Sequence, residues 1–300
     1  MEKRTRIWLV TAACLLVMGL VIFYVVMSAL NWDFSGLSTT EFGTNNHELT
    51  GEFNRVTIET DTADIIFVVS DNGQGKVVCF EQVNAKHSVS VKDGILTVGN
   101  DNDRKWYEYI GITFYTPKIT VYLPQTKYNT LVIRESTGDI KIPDTFQFES
   151  IDIRTSTGNV KNYASASDTM KIKTDTGDIH IESVVASGID LFVTTGDITL
   201  RNVTCKNLVS TADTGDIKLE NVIADGKISM ISDTGDVHFV GCDAATLDVE
   251  TNTGDVTGSL LTDKVFIVES DTGRVDVPKT ITGGRCEITT DTGDIKINIS

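Results

Sequence analysis

One tripeptide, Thr-Gly-Asp, recurs along the C-terminal half of this chain. It stands at Thr137-Gly138-Asp139, Thr176-Gly177-Asp178, Thr195-Gly196-Asp197, Thr214-Gly215-Asp216, Thr234-Gly235-Asp236, Thr253-Gly254-Asp255 and Thr292-Gly293-Asp294. Thr157-Gly158-Asn159 and Thr272-Gly273-Arg274 are variants of it. The glycines at 138, 158, 177, 196, 215, 235, 254, 273 and 293 follow one another at intervals of 19 or 20 residues. A fixed period of that size is the mark of a repeat architecture.

Counting from each glycine shows what every position requires. Seven residues before it stand Leu131, Ile151, Met170, Ile189, Leu208, Ile228, Leu247, Phe266 and Cys286. Five before it, the series runs from Ile133 and Ile153 to Val268 and Ile288, with Ser210 the polar member. Two after it come Ile140, Val160, Ile179, Ile198, Ile217, Val237, Val256, Val275 and Ile295, and four after it mostly apolar residues such as Ile181, Leu200 and Phe239. Seven after it come Val184, Val203, Val222, Cys242 and Leu261. Apolar residues two apart are the alternation of a strand with one face inward. Each unit thus reads as strand, Thr-Gly-Asp turn, strand and a second turn, the last at Ala186-Ser187-Gly188, Cys205-Lys206-Asn207, Ala224-Asp225-Gly226 and Thr282-Gly283-Gly284.

One such unit buries too little apolar surface to offset the ordering of its own backbone. Stacked units share backbone hydrogen bonds and one continuous core, with each column a ladder of neighbours about 4.8 Å apart. The expected fold is all-β: a parallel β-solenoid of 19–20-residue coils, right-handed by the strong preference of parallel crossovers. At the turn, Gly accepts a positive φ, Asp accepts backbone N–H bonds, and Thr stacks in a ladder.

Residues 1–6 read as a cytoplasmic tail, and the uncharged run Ile7–Leu30 as a transmembrane signal anchor. At about 1.5 Å per residue such a helix crosses a bilayer. Lys3, Arg4 and Arg6 before it favour a cytoplasmic N-terminus. A cleaved signal peptide is the alternative, although no A-x-A site follows Leu30. Residues 31–50, polar and rich in Ser, Thr, Gly and Asn, read as a linker. Residues 51–130 read as an N-terminal cap with irregular coils, a separate small β-domain being the alternative, and 131–300 as the regular solenoid. Within the cap, Thr62-Ala63-Asp64 looks like a worn copy of the turn, Lys92-Asp93-Gly94 joins a hairpin, and 100–107 is a charged loop.

The chain's net charge is −16, and residues 1–30 carry +2, so the remainder carries −18. An acidic body of this kind repels nucleic acid and anionic headgroups. Five cysteines, Cys14, Cys79, Cys205, Cys242 and Cys286, show neither CxxC spacing nor a matching His, which argues against zinc or thiol-redox chemistry. Cys242 and Cys286 fall in core columns, and Cys205 in a column of small residues with Ala186, Ala224 and Ala244.

Three chemistries invite consideration. Asp-Thr-Gly resembles the aspartic-protease signature at Asp175, Asp213, Asp233, Asp271 and Asp291, but a protease needs one proton-sharing pair rather than a copy per coil. The stacked carboxylates suggest calcium. Against that, Thr194, Asn252, Asn159 and Arg274 break the acidic series, and Lys141, Lys161, His180, Lys218, His238 and Lys296 run beside it. A carbohydrate-active β-helix enzyme would show a unique charged cluster breaking the repeat, and Arg274 is the only charge reversal at the turn. The sequence therefore points to no catalytic, cofactor-binding or metal-ligating residues.

The run Ile119-Thr120-Val121-Tyr122-Leu123-Pro124, followed by Tyr128, Leu131 and Ser136-Thr137-Gly138-Asp139-Ile140, and the repeated units after it resemble domain of unknown function 4097, over roughly residues 50–300. This is a bacterial family also labelled "putative adhesin". The resemblance implies a β-solenoid outside the membrane, often behind an N-terminal membrane segment and in some cases associated with cell-envelope stress. It transfers no catalytic residues. The expectation is a non-enzymatic, membrane-anchored, extracytoplasmic β-solenoid. Its role would be structural, adhesive or envelope-associated binding, with a membrane or envelope partner reached through the Ile7–Leu30 anchor.

Overall fold

The structure, a computed structural model, describes residues 3–32, 40–100 and 115–300. The one helix among the described residues, Lys3–Ala29, carries the apolar run, and Ile7–Ala29 is long and apolar enough to cross a membrane. Trp32 packs edge-on against Tyr24 with ring centroids 5.9 Å apart.

The rest is a β-solenoid. A long strand ends at the Thr of each turn and a second strand begins one residue beyond the Asp, as in Ser165–Thr176 and Ile179–Glu182. In the middle of the array the strands fuse across the far corner into Ile198–Thr214, Ile217–Thr234 and Val237–Thr253. All pairing between coils is parallel and holds the columns in register: Leu131, Ile151, Met170, Ile189, Leu208, Ile228 and Leu247 stand opposite one another in turn. These side chains are buried. So is Ser210, whose hydroxyl has no partner among the described residues. Cys205 stacks between Ala186 and Ala224, while Cys242 and Cys286 lie in the core.

The far corner differs in detail from the sequence reading. Its left-handed residues are Ser183, Asn202, Asn221 and Gly241, at φ 58, 52, 53 and 61°. Asn and Gly reach that region with least cost, and Asn221 Nδ2 donates to Asn202 Oδ1 on the coil before. The stretches expected to turn, around Lys206 and Asp225, instead lie within strands as register shifts. Leu261 does not join the column of Cys242. It is exposed, and Leu260, opposite Cys242, takes the buried place one residue earlier.

Arg55–Thr62 and Asp64–Val69 pair in parallel with Lys127–Thr137 and Ile140–Ile142, so Thr62-Ala63-Asp64 is the first turn of the array. Ile95–Asn100 pairs parallel with Arg55–Thr62 and antiparallel with His87–Lys92 through a turn at Asp93 and Gly94. On the other strand, Lys118–Leu123 pairs with Asp64–Val69, Lys76–Gln82 with Lys118–Leu123, and Phe42–Glu48 with Lys76–Gln82, the last two antiparallel. Residues 42–48, which composition assigns to a linker, are thus a strand. They are legible only as an edge, because polar Asn and Thr side chains suit a strand with half its surface in water. Of the charged loop at 100–107, all but Asn100 lies outside the described residues.

The other end departs from chain order. Val237–Thr253 pairs with Gly284–Thr292, and Gly284–Thr292 with Lys264–Thr272. Val256–Leu260 likewise pairs with Ile295–Ile299, which pairs with Val275–Asp276. The last coil in sequence is therefore inserted between its two predecessors, and the coil of Gly273 closes the stack. That coil suits an edge. Its second strand has only two residues, Pro278 and Lys279 follow, and short strands, proline and lysine discourage further pairing.

Candidate functional site

The repeated turn builds one continuous face. At its first level, Asp139 N–H donates to Asp64 Oδ1. The same bond then runs from Asn159 to Asp139, Asp178 to Asn159, Asp197 to Asp178, Asp216 to Asp197, Asp236 to Asp216 and Asp255 to Asp236. Asp294 to Asp255 and Arg274 to Asp294 complete it, and all nine bonds measure between 2.7 and 3.1 Å. Each residue after the glycine must therefore offer an oxygen to the next level, a need that Asn159 meets as well as Asp. Arg274 occupies the last level, where no N–H waits for an acceptor. Asn159 and Arg274, the two breaks in the acidic series that directly follow a glycine, thus have separate explanations, one chemical and one positional.

Gly215 shows why the middle position is invariant in space. Its φ is 140°, and a Cβ placed on it would lie 2.0 Å from the Gly196 carbonyl oxygen. Three residues before the glycine, inward hydroxyls satisfy these carbonyls: Thr174 donates to Gly158 O, Ser232 to Gly215 O and Thr251 to Gly235 O.

Along the ladder and beside it, charges pair within and across coils. Lys218 Nζ lies 2.9 Å from Asp216 and 3.6 Å from Asp197, and Lys171, Arg201 and Lys227 reach Asp190, Glu220 and Asp248 on neighbouring coils. The Lys218 ammonium holds the Asp216 carboxyl below the usual range, and Asp216 in turn raises Lys218. Of the Asp-Thr-Gly aspartates, Asp175 lies 3.6 Å from Lys173, and Asp233 accepts a bond from Asn252. These carboxylates are occupied by the repeat.

The N-terminal end carries the less regular chemistry. An open cavity of about 1000 Å³ lies between the turn at Leu49–Asn54 and the strand start at Lys127 and Tyr128. Tyr128 stacks with Phe53, donates its hydroxyl to Pro124 O, and is pushed up to about 12 by burial. Glu135 stands where six later coils have Thr or Ser and two have Val193 and Ala212. Its Oε1 accepts from Ala63 N–H, its Oε2 has no partner among the described residues, and burial foremost, then Asp64 and Asp139, pushes it to about 8.

Three further groups meet beneath this end: Cys79 Sγ, a Glu81 carboxylate oxygen and a His87 ring nitrogen lie within 4.8 Å of one another, all buried. Glu81 Oε2 is 2.6 Å from His87 Nδ1 and accepts from His87 N–H at 2.7 Å, and Asn45 Nδ2 donates to Oε1. Burial works to raise Glu81, but these bonds together hold it below the ordinary carboxylate range. Burial pushes the Cys79 thiol up to about 12. Sequence reasoning did not connect these residues, because Cys79 and His87 belong to different strands of a bent antiparallel segment. Among the described residues no set of three ladder carboxylates converges in this way.

The family model of Toastrack DUF4097 matches residues 53–298. No curated protein matches the chain. Among solved structures it is similar to a "putative lipid binding protein" from Parabacteroides distasonis, at 14% identity and TM-score 0.56, covering 87% of this chain and 98% of that one. It is similar also to a "putative adhesin" from the same organism, at 11% identity and TM-score 0.56, with 86% and 98% covered. A third, a "putative adhesin" from Parabacteroides merdae, shows 10% identity and TM-score 0.53, with 87% and 97% covered. At these identities the likeness is one of fold.

Proposed function

Taking as premise that the chain belongs to the Toastrack DUF4097 family, we propose that it is a non-enzymatic binding scaffold, held to the membrane by Ile7–Leu30 with its solenoid outside the cytoplasm. The observation that carries this reading is the unbroken turn ladder. From Asp64 to Arg274 each level repeats the same bond, and the ladder carboxylates are spent on backbone N–H groups, those of Asp197 and Asp216 also on Lys218. A hydrolase on a β-helix would interrupt such a face with a unique acid–base pair in a cleft. A regular, rigid, acidic face is suited instead to presenting repeated polar contacts to a partner in the envelope or membrane. The names of the similar "putative adhesin" structures agree with a binding role.

The apolar span Ile7–Ala29 with Lys3, Arg4 and Arg6 before it favours a cytoplasmic N-terminus. The test is affinity capture of the full-length chain from membranes after brief crosslinking, beside a topology reporter fused after Ser300. Reporter activity outside the cytoplasm together with a saturable envelope or membrane-protein partner is the expected result. Cytoplasmic activity, or hydrolysis of a polysaccharide by the purified chain, would overturn it.

A further inference from the structure

We propose that Cys79, Glu81 and His87 form a binding site for one divalent transition-metal ion, zinc by the chemistry of the donors, at the N-terminal end of the solenoid. A thiolate, a carboxylate and an imidazole are the three ligand types zinc takes. Their ligand atoms already lie within 4.8 Å of one another. Zinc bonds of about 2.0–2.3 Å in a tetrahedron set ligand atoms roughly 3.3–3.8 Å apart. The Nδ1–Oε2 pair, now 2.6 Å apart, opens to that spacing when an ion enters between them.

The surroundings orient two of the ligands as a metal site requires. Thr60 donates its hydroxyl to Asn100 Oδ1, so its oxygen is free to accept from His87 Nε2–H at 3.0 Å. That tautomer leaves the Nδ1 lone pair aimed at a Glu81 oxygen. Two acceptors facing each other need a cation between them, either a proton or a metal ion. Asn45 steadies the other Glu81 oxygen. Outer partners of this kind fix the ring and the carboxylate around a metal.

Charge gives the same answer. The three residues are at most 8% exposed, and buried charges are paired or coordinate metals. A thiolate and a carboxylate with a neutral imidazole sum to two negative charges, which one divalent cation cancels. As the ion enters, the thiol proton and the proton between Nδ1 and Oε2 leave to solvent. A purely structural Glu81–His87 pair accounts for two of the residues, with Cys79 packed in the core beside them. The fourth position is open to water or to His47. His47 stands diagonal to Cys79 on the same sheet face, with Nε2 buried and unpartnered among the described residues. Thr60 and Asn100, behind His87, also line an open cavity of about 580 Å³ with Glu59, Asp61, Arg134 and Glu135.

The test uses the full chain in detergent, carrying Cys14→Ser to remove an exposed thiol, stripped with chelator and titrated with Co²⁺. The expected result is a thiolate-to-cobalt charge-transfer band that saturates at one equivalent, is displaced by Zn²⁺, and is lost in Cys79→Ser and in His87→Gln but kept in Cys242→Ser. Glu81→Gln should weaken Co²⁺ binding at least tenfold. Loss of a buried side chain can unfold the cap by itself, so each variant is checked by circular dichroism, and the Cys14→Ser protein is decisive without them. No band in that protein overturns the proposal, as does a band that survives in folded Cys79→Ser.

Discussion

The backbone N–H of Arg274 donates to Oδ1 of Asp294 at 2.8 Å, the one rung of the turn ladder in which the donor precedes its acceptor in the chain. Elsewhere the later residue gives to the earlier, as Asp294 does to Asp255 at 2.7 Å. The ladder follows space rather than sequence, and its chemistry makes each rung separately testable.

Asp255→Ala removes the acceptor of Asp294 N–H and should cost about 1–2 kcal/mol. Asp255→Asn keeps the oxygen, as Asn159 does naturally, and should cost well under half of that. Arg274→Ala, at the end of the ladder, should leave stability unchanged. Urea midpoints at constant m-value measure all three, and equal losses for Ala at both positions would refute the ladder's polarity.

Gly215→Ala should already be costly, because a Cβ there meets the Gly196 carbonyl at 2.0 Å. Strain at positive φ adds to overpacking, for about 2–4 kcal/mol in total, and Gly215→Val should cost more. An unchanged melting temperature for either would exclude this turn geometry.

Ser210→Ala should stabilise the solenoid by about 1 kcal/mol. The hydroxyl is buried between Leu191 and Met230 with no partner among the described residues. Removing an unsatisfied polar group recovers its desolvation cost. A loss of stability would reveal a partner for the hydroxyl.

Glu135 gives the fold a pH dependence of definite sign. Its carboxyl titrates near 8 in the folded chain against an ordinary 4.5, so the folded state holds a proton the unfolded state has released. Its stabilising contribution is complete below about 4.5 and is lost progressively as pH rises through about 8. Glu135→Gln should flatten the stability profile in that window and raise stability at pH 8 by on the order of 1–3 kcal/mol. Parallel profiles for the two proteins would show that Glu135 is not the group responsible.

The core columns were legible because alternation within a coil and the coil period reinforce each other. Ile140, Val160, Ile179 and Ile198 are read as one row from spacing alone, and they stack so. The order of the last two coils was not legible. Val268 and Ile288 satisfy the same column, and only their edges, Arg274 against Asp294, tell them apart. The left-handed corner was visible as Ser183, Asn202, Asn221 and Gly241 but was hidden by the more obvious glycines nearby. Phe42–Glu48 lacked the apolar alternation that announces a strand. Cys79, Glu81 and His87 are joined by tertiary pairing across a short segment, which no spacing rule encodes.

The inserted strand Gly284–Thr292 also sets a condition on synthesis. As the chain emerges from its N-terminus, every level from Lys127–Thr137 up to Leu260 can add to the one before it. Residues 264–276 then have no finished neighbour to settle on until residues 284–299 have been made. The final two layers must form together, in a closure spanning about forty residues, and long closures are slow. A chain cut short anywhere in its last coil leaves both layers undone and exposes Val237–Thr253 as a bare edge. The arrangement makes sealing of the stack depend on residues 284–299 having been made.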